Sequence, residues 1–149
     1  MKYTSSLIFK NIFFVFMIAL LVFISGCSKN ESANNIPVIS VNFVINPNST
    51  EYIELNVVNG WVYLTGGYRG IIVFRKSATE FVAFERACPY DWQQPTARIE
   101  VEAAGTTGIC PSCKSKFILV DGSPFAGPTQ YPLKQYQTNY DGSLLYVFN

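Results

Sequence analysis

Three cysteines in the second half of this chain carry its most specific chemical signal. Cys88 opens "CPY" (88–90), and Cys110 and Cys113 bracket "CPSC" (110–113). Two Cys-Pro boxes about twenty residues apart suit loops tied together, either by thiolate bonds to a shared metal or by a disulfide. Each proline stiffens its loop and removes one amide donor, which leaves the neighbouring amides free to face sulfur. The chain has no histidine. A Ser-His-Asp set is therefore impossible, and neither a phosphate-cradling glycine loop nor a catalytic pair of carboxylates occurs. The residues point away from an enzyme.

The elements that must position these boxes read as short strands. "EFVAFER" (80–86) runs directly into Cys88, and "KFILV" (116–120) leaves the second box. "VISVNFVI" (38–45), "EYIELNV" (51–57), "WVYLT" (61–65), "GIIVFRK" (70–76), "ARIEVE" (97–102), "LKQYQTNY" (133–140) and "SLLYVFN" (143–149) carry β-formers between turn residues. Asn59-Gly60, Ser77-Ala78-Thr79, Asp121-Gly122 and Asp141-Gly142 are the expected turns, and the second and fourth predict hairpins. No stretch beyond residue 37 shows a long helical period, so the expected fold is an all-β antiparallel sandwich or barrel. Trp61, Phe74, Phe81, Phe84, Phe117, Tyr146 and Phe148 are the expected core aromatics, and Arg98, Glu100 and Glu102 an exposed face.

In order along the chain, the boxes, their spacing, Gly127-Pro128 and the last hairpin resemble the Rieske iron–sulfur domain from about residue 61 to 149. That family reads Cys-x-His, then Cys-x-x-His, with two cysteines on one iron of a 2Fe-2S cluster and two histidines on the other. The resemblance implies electron-transfer ancestry, a redox protein partner, and a small cluster-type subdomain at about 87–132 within a domain at 37–149. It implies thiolate ligation by Cys88 and Cys110. Tyr90 and Cys113 stand where the family has histidine, and Lys114 where it has glycine.

Three readings follow. In the first, a variant 2Fe-2S cluster binds through Cys88, Cys110, Cys113 and an oxygen ligand from Tyr90 or Asp91. Its potential would lie well below the roughly −150 to +300 mV of Rieske centres, because anionic ligands replace imidazoles. In the second, no cofactor binds, and Cys88 pairs with Cys110 or Cys113 in a disulfide that staples a binding or structural module. In the third, Cys88, Cys110 and Cys113, with one further ligand, hold a mononuclear, zinc-type metal.

The chain opens with a segment for targeting. Lys2 and Lys10 precede "IFFVFMIALLVFI" (12–24), an apolar run of 13 residues that is too short for a comfortable membrane span. "ISGC" (24–27) follows and resembles the lipobox of bacterial lipoproteins. The expected organisation is a signal peptide at 1–26, lipid on Cys27, a flexible tether at 27–36 and the β domain beyond it, held on the membrane in the cell envelope. Without Lys2 and Lys10, nine basic residues face ten acidic ones, a balance that gives no reason to expect nucleic acid as a partner. With Cys27 acylated, three thiols remain, so one disulfide would leave one over while a metal could use all three. Intact-mass analysis of membrane-purified protein should find an acylated Cys27 at the N-terminus. Cys27→Ser should release the domain or stall processing, and a retained leader in the wild-type chain would refute the assignment.

Overall fold

A computed structural model describes residues 35–149. The expected leader, Cys27 and the tether up to residue 34 lie outside the described residues. Ten strands form two antiparallel sheets among the described residues: β1 (Asn42–Ile45), β2 (Trp61–Leu64), β3 (Ile71–Arg75), β4 (Phe81–Glu85), β5 (Glu100–Val101), β6 (Thr107–Ile109), β7 (Lys116–Ile118), β8 (Pro124–Ala126), β9 (Gln135–Tyr140) and β10 (Leu145–Phe148). The larger sheet has the order β1-β10-β9-β4-β3-β2, and the smaller β5-β6-β7-β8. The larger sheet curls into an open half-barrel. Its two edges, β1 and β2, line one groove of ≈ 1160 Å³ together with a short 3-10 helix. The smaller sheet falls within residues 87–132, where the sequence places a subdomain.

The β3–β4 hairpin is the wall that both halves share. Its apolar runs "IIVF" and "FVAF" are buried on both faces, so neither alternates with polar residues. Ile72, Phe74, Val82 and Phe84 face one core, with Ile99, Phe117, Leu119 and Leu133. Ile71, Val73, Phe81 and Ala83 face the other, with Val41, Leu55, Leu145 and Val147. Cys88 and Cys110 belong to the first core, so the cysteine loops are built directly onto the hairpin.

Three expectations need correction. The segment expected as a strand at 51–57 is a 3-10 helix, Thr50–Asn56. Tyr52 and Leu55, three residues apart, turn inward, while Ile53 is 60% exposed. The segment is kinked at Tyr52, whose backbone is non-helical, and burial of Tyr52 and Leu55 overrides the β propensity of the individual side chains. In the last strand Leu145 and Val147 enter the core, leaving Tyr146 and Phe148 on the opposite, partly buried face, and Trp61 is likewise only partly buried. The alternation is the expected one, shifted by one residue. Finally, β6 and β8 are short strands that the expected set of strands lacks. They exist because β7 supplies a partner on each side, and Pro124 is tolerated as the first residue of an edge strand.

Glu85, the last residue of β4, has no exposed surface. Its carboxylate accepts hydrogen bonds from the amides of Tyr68 (2.6 Å), Arg69 (2.8 Å) and Ala87 (3.0 Å) and from the Tyr136 hydroxyl (2.7 Å). Burial, reinforced by this bond, pushes the Tyr136 phenol well above its ordinary value, so it stays a donor. Gly67 sits at φ 60, and a β-carbon there would strike both the Tyr136 hydroxyl and the Glu85 carboxylate. Tyr136→Phe leaves a buried, charged acceptor one donor short. The expected loss is about 1–3 kcal/mol, seen as a lower denaturant midpoint with an unchanged slope. An unchanged midpoint would show that the hydroxyl does not support Glu85.

Candidate metal centre

The first cysteine loop leaves β4 through Arg86 and Ala87. The Arg86 guanidinium is buried over the Tyr63 ring, 3.4 Å from its centroid, and its Nε donates to the Ile99 carbonyl at 3.0 Å. The Cys88 amide donates to the Ala97 carbonyl at 2.9 Å and closes the loop at its base. Within the loop, Gln94 N donates to Asp91 O (2.8 Å) and Ala97 N to Gln94 O (3.0 Å), making two successive turns. Arg69 clamps it from outside: Nε donates to the Trp92 carbonyl and Nη2 to the Gln93 carbonyl, each at 3.2 Å. Tyr68 meets Trp92 edge to face at 5.8 Å.

The second loop joins β6 to β7. Cys110 N donates to Ser115 O, and Lys114 N to Cys110 O, both at 2.9 Å. This tight closure requires a left-handed residue, and Lys114 takes φ 63 to supply it. Lys114 holds this strained position in spite of its β-carbon. Gly127, at φ 90, packs so closely on Ser115 that any β-carbon would collide with the Ser115 backbone. The next segment seals the contact, with the Thr129 amide donating to Ser115 Oγ at 3.2 Å. Ser112 Oγ donates to Asp91 Oδ2 at 3.3 Å, which joins the two loops.

These loops bring the three sulfur atoms of Cys88, Cys110 and Cys113 within 4.8 Å of one another. Cys88 and Cys110 have no exposed surface, while Cys113 is partly exposed. Cys88 Sγ and Cys113 Sγ are 3.5 Å apart, and Cys113 Sγ contacts Ser115 Oγ at 3.1 Å. All three cysteines are free. Cys88 and Cys110 share a hydrogen bond that divides their acidities. The Cys110 thiol is lowered to about 6 because it accepts from Cys88; burial opposes the shift, and the Cys113 and Ser112 amides add to it. Cys88 is raised, first by donating to Cys110 and then by burial, against the pull of the Asp91 and Tyr90 amides. The interaction favours the thiolate at Cys110 over Cys88, and backbone N–H groups face both sulfurs.

Of the residues singled out in the sequence, Cys88, Cys110 and Cys113 converge. Tyr90 stands on the first loop with 49% of its surface exposed and its amide toward Cys88. Glu102, expected on a water-facing stripe, is partly buried and pairs with Lys116 Nζ at 2.7 Å. Sequence reasoning missed Arg69, Glu85 and Ser115. For Glu85 a signal existed: residues 81, 83 and 85 share one strand face, so a carboxylate at 85 had to be buried and bonded.

The donor set does not fit a Rieske centre, because the chain has no imidazole to hold the second iron. No family model matches the chain, and a search of curated proteins finds no match. Among solved structures it is similar to the ferredoxin of carbazole 1,9a-dioxygenase from Nocardioides aromaticivorans IC177. The identity is 19%, over 61% of this chain and 86% of that one, with a TM-score of 0.42.

Lys114→Gly removes a left-handed residue that costs about 1–2 kcal/mol and restores chain entropy to the unfolded state worth about 0.4–1 kcal/mol. The net expectation is a gain of about 0.5–1 kcal/mol, read as a higher denaturant midpoint. A lower midpoint would mean that contacts of the lysine stem outweigh the backbone strain.

Proposed function

We propose that this protein is a lipid-anchored, metal-binding protein of the cell envelope. Its β domain holds one soft metal ion of zinc type through Cys88, Cys110 and Cys113. The leader and "ISGC" support the anchor. The ordered cysteine boxes and Gly127-Pro128 support a scaffold of electron-transfer ancestry, of the Rieske kind, whose two-iron site has been exchanged for a one-ion site.

The single observation that carries the metal reading is the sulfur triangle, with every pair within 4.8 Å. Thiolates bound tetrahedrally to one zinc at about 2.3 Å lie about 3.8 Å apart. Cys88 and Cys113 Sγ, at 3.5 Å, stand close to that spacing before any ion draws them in. A two-iron core instead needs four ligands in two pairs at its opposite ends. Here the sulfurs that would serve opposite ends, those of Cys88 and Cys113, are neighbours. When bound, the ion would fix the two loops to each other. The chain's own residues already supply the supporting shell: Arg69 on the first loop, Ser115 and Thr129 behind the second, and amide N–H groups facing sulfur.

The full chain, purified anaerobically in detergent, should carry one equivalent of metal and show no visible iron–sulfur absorption. Cys113→Ser should lose metal at lower chelator concentrations than wild type. An iron–sulfur spectrum would restore the electron-carrier reading and overturn this one. Three free thiols with no metal, or a disulfide in the natively exported protein, would also overturn it.

A further inference from the structure

We propose that the trithiol pocket binds a trivalent pnictogen oxyacid, arsenite or antimonite, as a three-coordinate trithiolate. This rests on the one-ion reading of the site and names the ion class that its donor count and burial favour. Among the described residues the pocket gathers three ligating side chains, and no fourth His, Cys, Asp or Glu joins them. A tetrahedral divalent ion would have to take its fourth ligand from water or from a group outside this set. A trivalent arsenic or antimony centre forms three bonds, keeps a lone pair in the fourth direction, and is complete with what the chain offers.

Charge leads to the same ion. Three thiolates around a monovalent ion leave two negative charges, and around a divalent ion one. Around a trivalent centre they leave none. Two of the three sulfurs have no exposed surface and sit in a core with Phe84, Ala97, Phe117 and Leu133. The groups that face the sulfurs are neutral: backbone amides beside Cys88 and Cys110, and the Ser115 hydroxyl, which accepts from Cys113 Sγ. Residual charge is costly in such a place, so the neutral complex is the one best accommodated. Cys113 is partly exposed and gives the ligand its way in. The step is a condensation without redox: As(OH)₃ and three thiols give As(SR)₃ and three waters. Each As–O bond is replaced by an As–S bond, each thiol proton leaves in water, and arsenic stays trivalent.

The test is an arsenite titration of the full chain in detergent, anaerobic and reduced, with zinc titrated in parallel. One arsenic should bind per chain. Peptide-mapped thiol labelling should show Cys88, Cys110 and Cys113 becoming protected together, and arsenite should displace zinc. Cys113→Ser should weaken arsenite binding by about 10²-fold, because the third bond forms intramolecularly, while far-UV circular dichroism and Tm of the unloaded chain stay unchanged. Protection of two cysteines or fewer would overturn the proposal, as would wild-type affinity in Cys113→Ser. Zinc binding without arsenite binding would overturn it and leave the metal-thiolate reading standing, whereas binding of neither would overturn both.

Discussion

Glu85 places a carboxylate where it has no exposed surface, and the arrangement around the first cysteine loop follows from how that group is hydrogen-bonded. A buried, unpaired carboxylate costs several kcal/mol. Four donors offset it here, each bond to a charged acceptor contributing about 1.5–3 kcal/mol. Those donors come from three separate places: the Tyr68–Arg69 turn, Ala87 beyond the end of β4, and Tyr136 on β9. Satisfying one side chain therefore fixes β9 against β4 and sets the turn that carries Arg69. The Arg69 guanidinium then holds the carbonyls of Trp92 and Gln93 in the first cysteine loop. Hydrogen bonds thus link a core carboxylate to the first cysteine loop, beside the ring contact of Tyr68 with Trp92.

Ser115 plays the matching part on the second loop. Its carbonyl accepts from the Cys110 amide, and its hydroxyl lies between Cys113 Sγ and the Thr129 amide. Gly127 allows the covering segment to press onto its backbone. The sulfurs consequently hang from two frames that the shared β3–β4 hairpin holds in one core. Flexible loops would pay an entropic penalty to gather three thiols. These are gathered by the fold before any ion arrives, which is the condition for tight and selective ligation.

A set of three thiols differs from an imidazole-containing ligand set in charge as well as in number. Imidazole binds a metal while neutral, whereas each thiolate adds a negative charge that the pocket must absorb. The amides of Tyr90, Asp91, Ser112 and Cys113 spread part of that charge. They do so as fixed dipoles, and the apolar core behind them offers no counter-ion. Ligand number and charge, rather than the shape of the scaffold, then decide which ion suits the site.

The sequence by itself determined what depends on near neighbours. Strand alternation, the hairpin turns at Ser77–Thr79 and Asp141-Gly142, and the strands that lead into and out of the cysteine boxes were all legible, because period-two patterning and turn chemistry act over a few residues. The convergence of Cys88 and Cys110 was suggested by the strands that flank the boxes, but those strands, β4 and β7, lie in different sheets, and the loops meet through a shared core. What tertiary structure alone decided is what joins distant residues. Tyr136 reaches Glu85 across 51 positions and Ser112 reaches Asp91 across 21, and no local pattern encodes either bond. The 3-10 helix at Thr50–Asn56, the inward face of Leu145 and Val147, and the left-handed Lys114 belong to the same group. Each sets a local preference against burial or loop closure, and the larger collective energy of packing prevails.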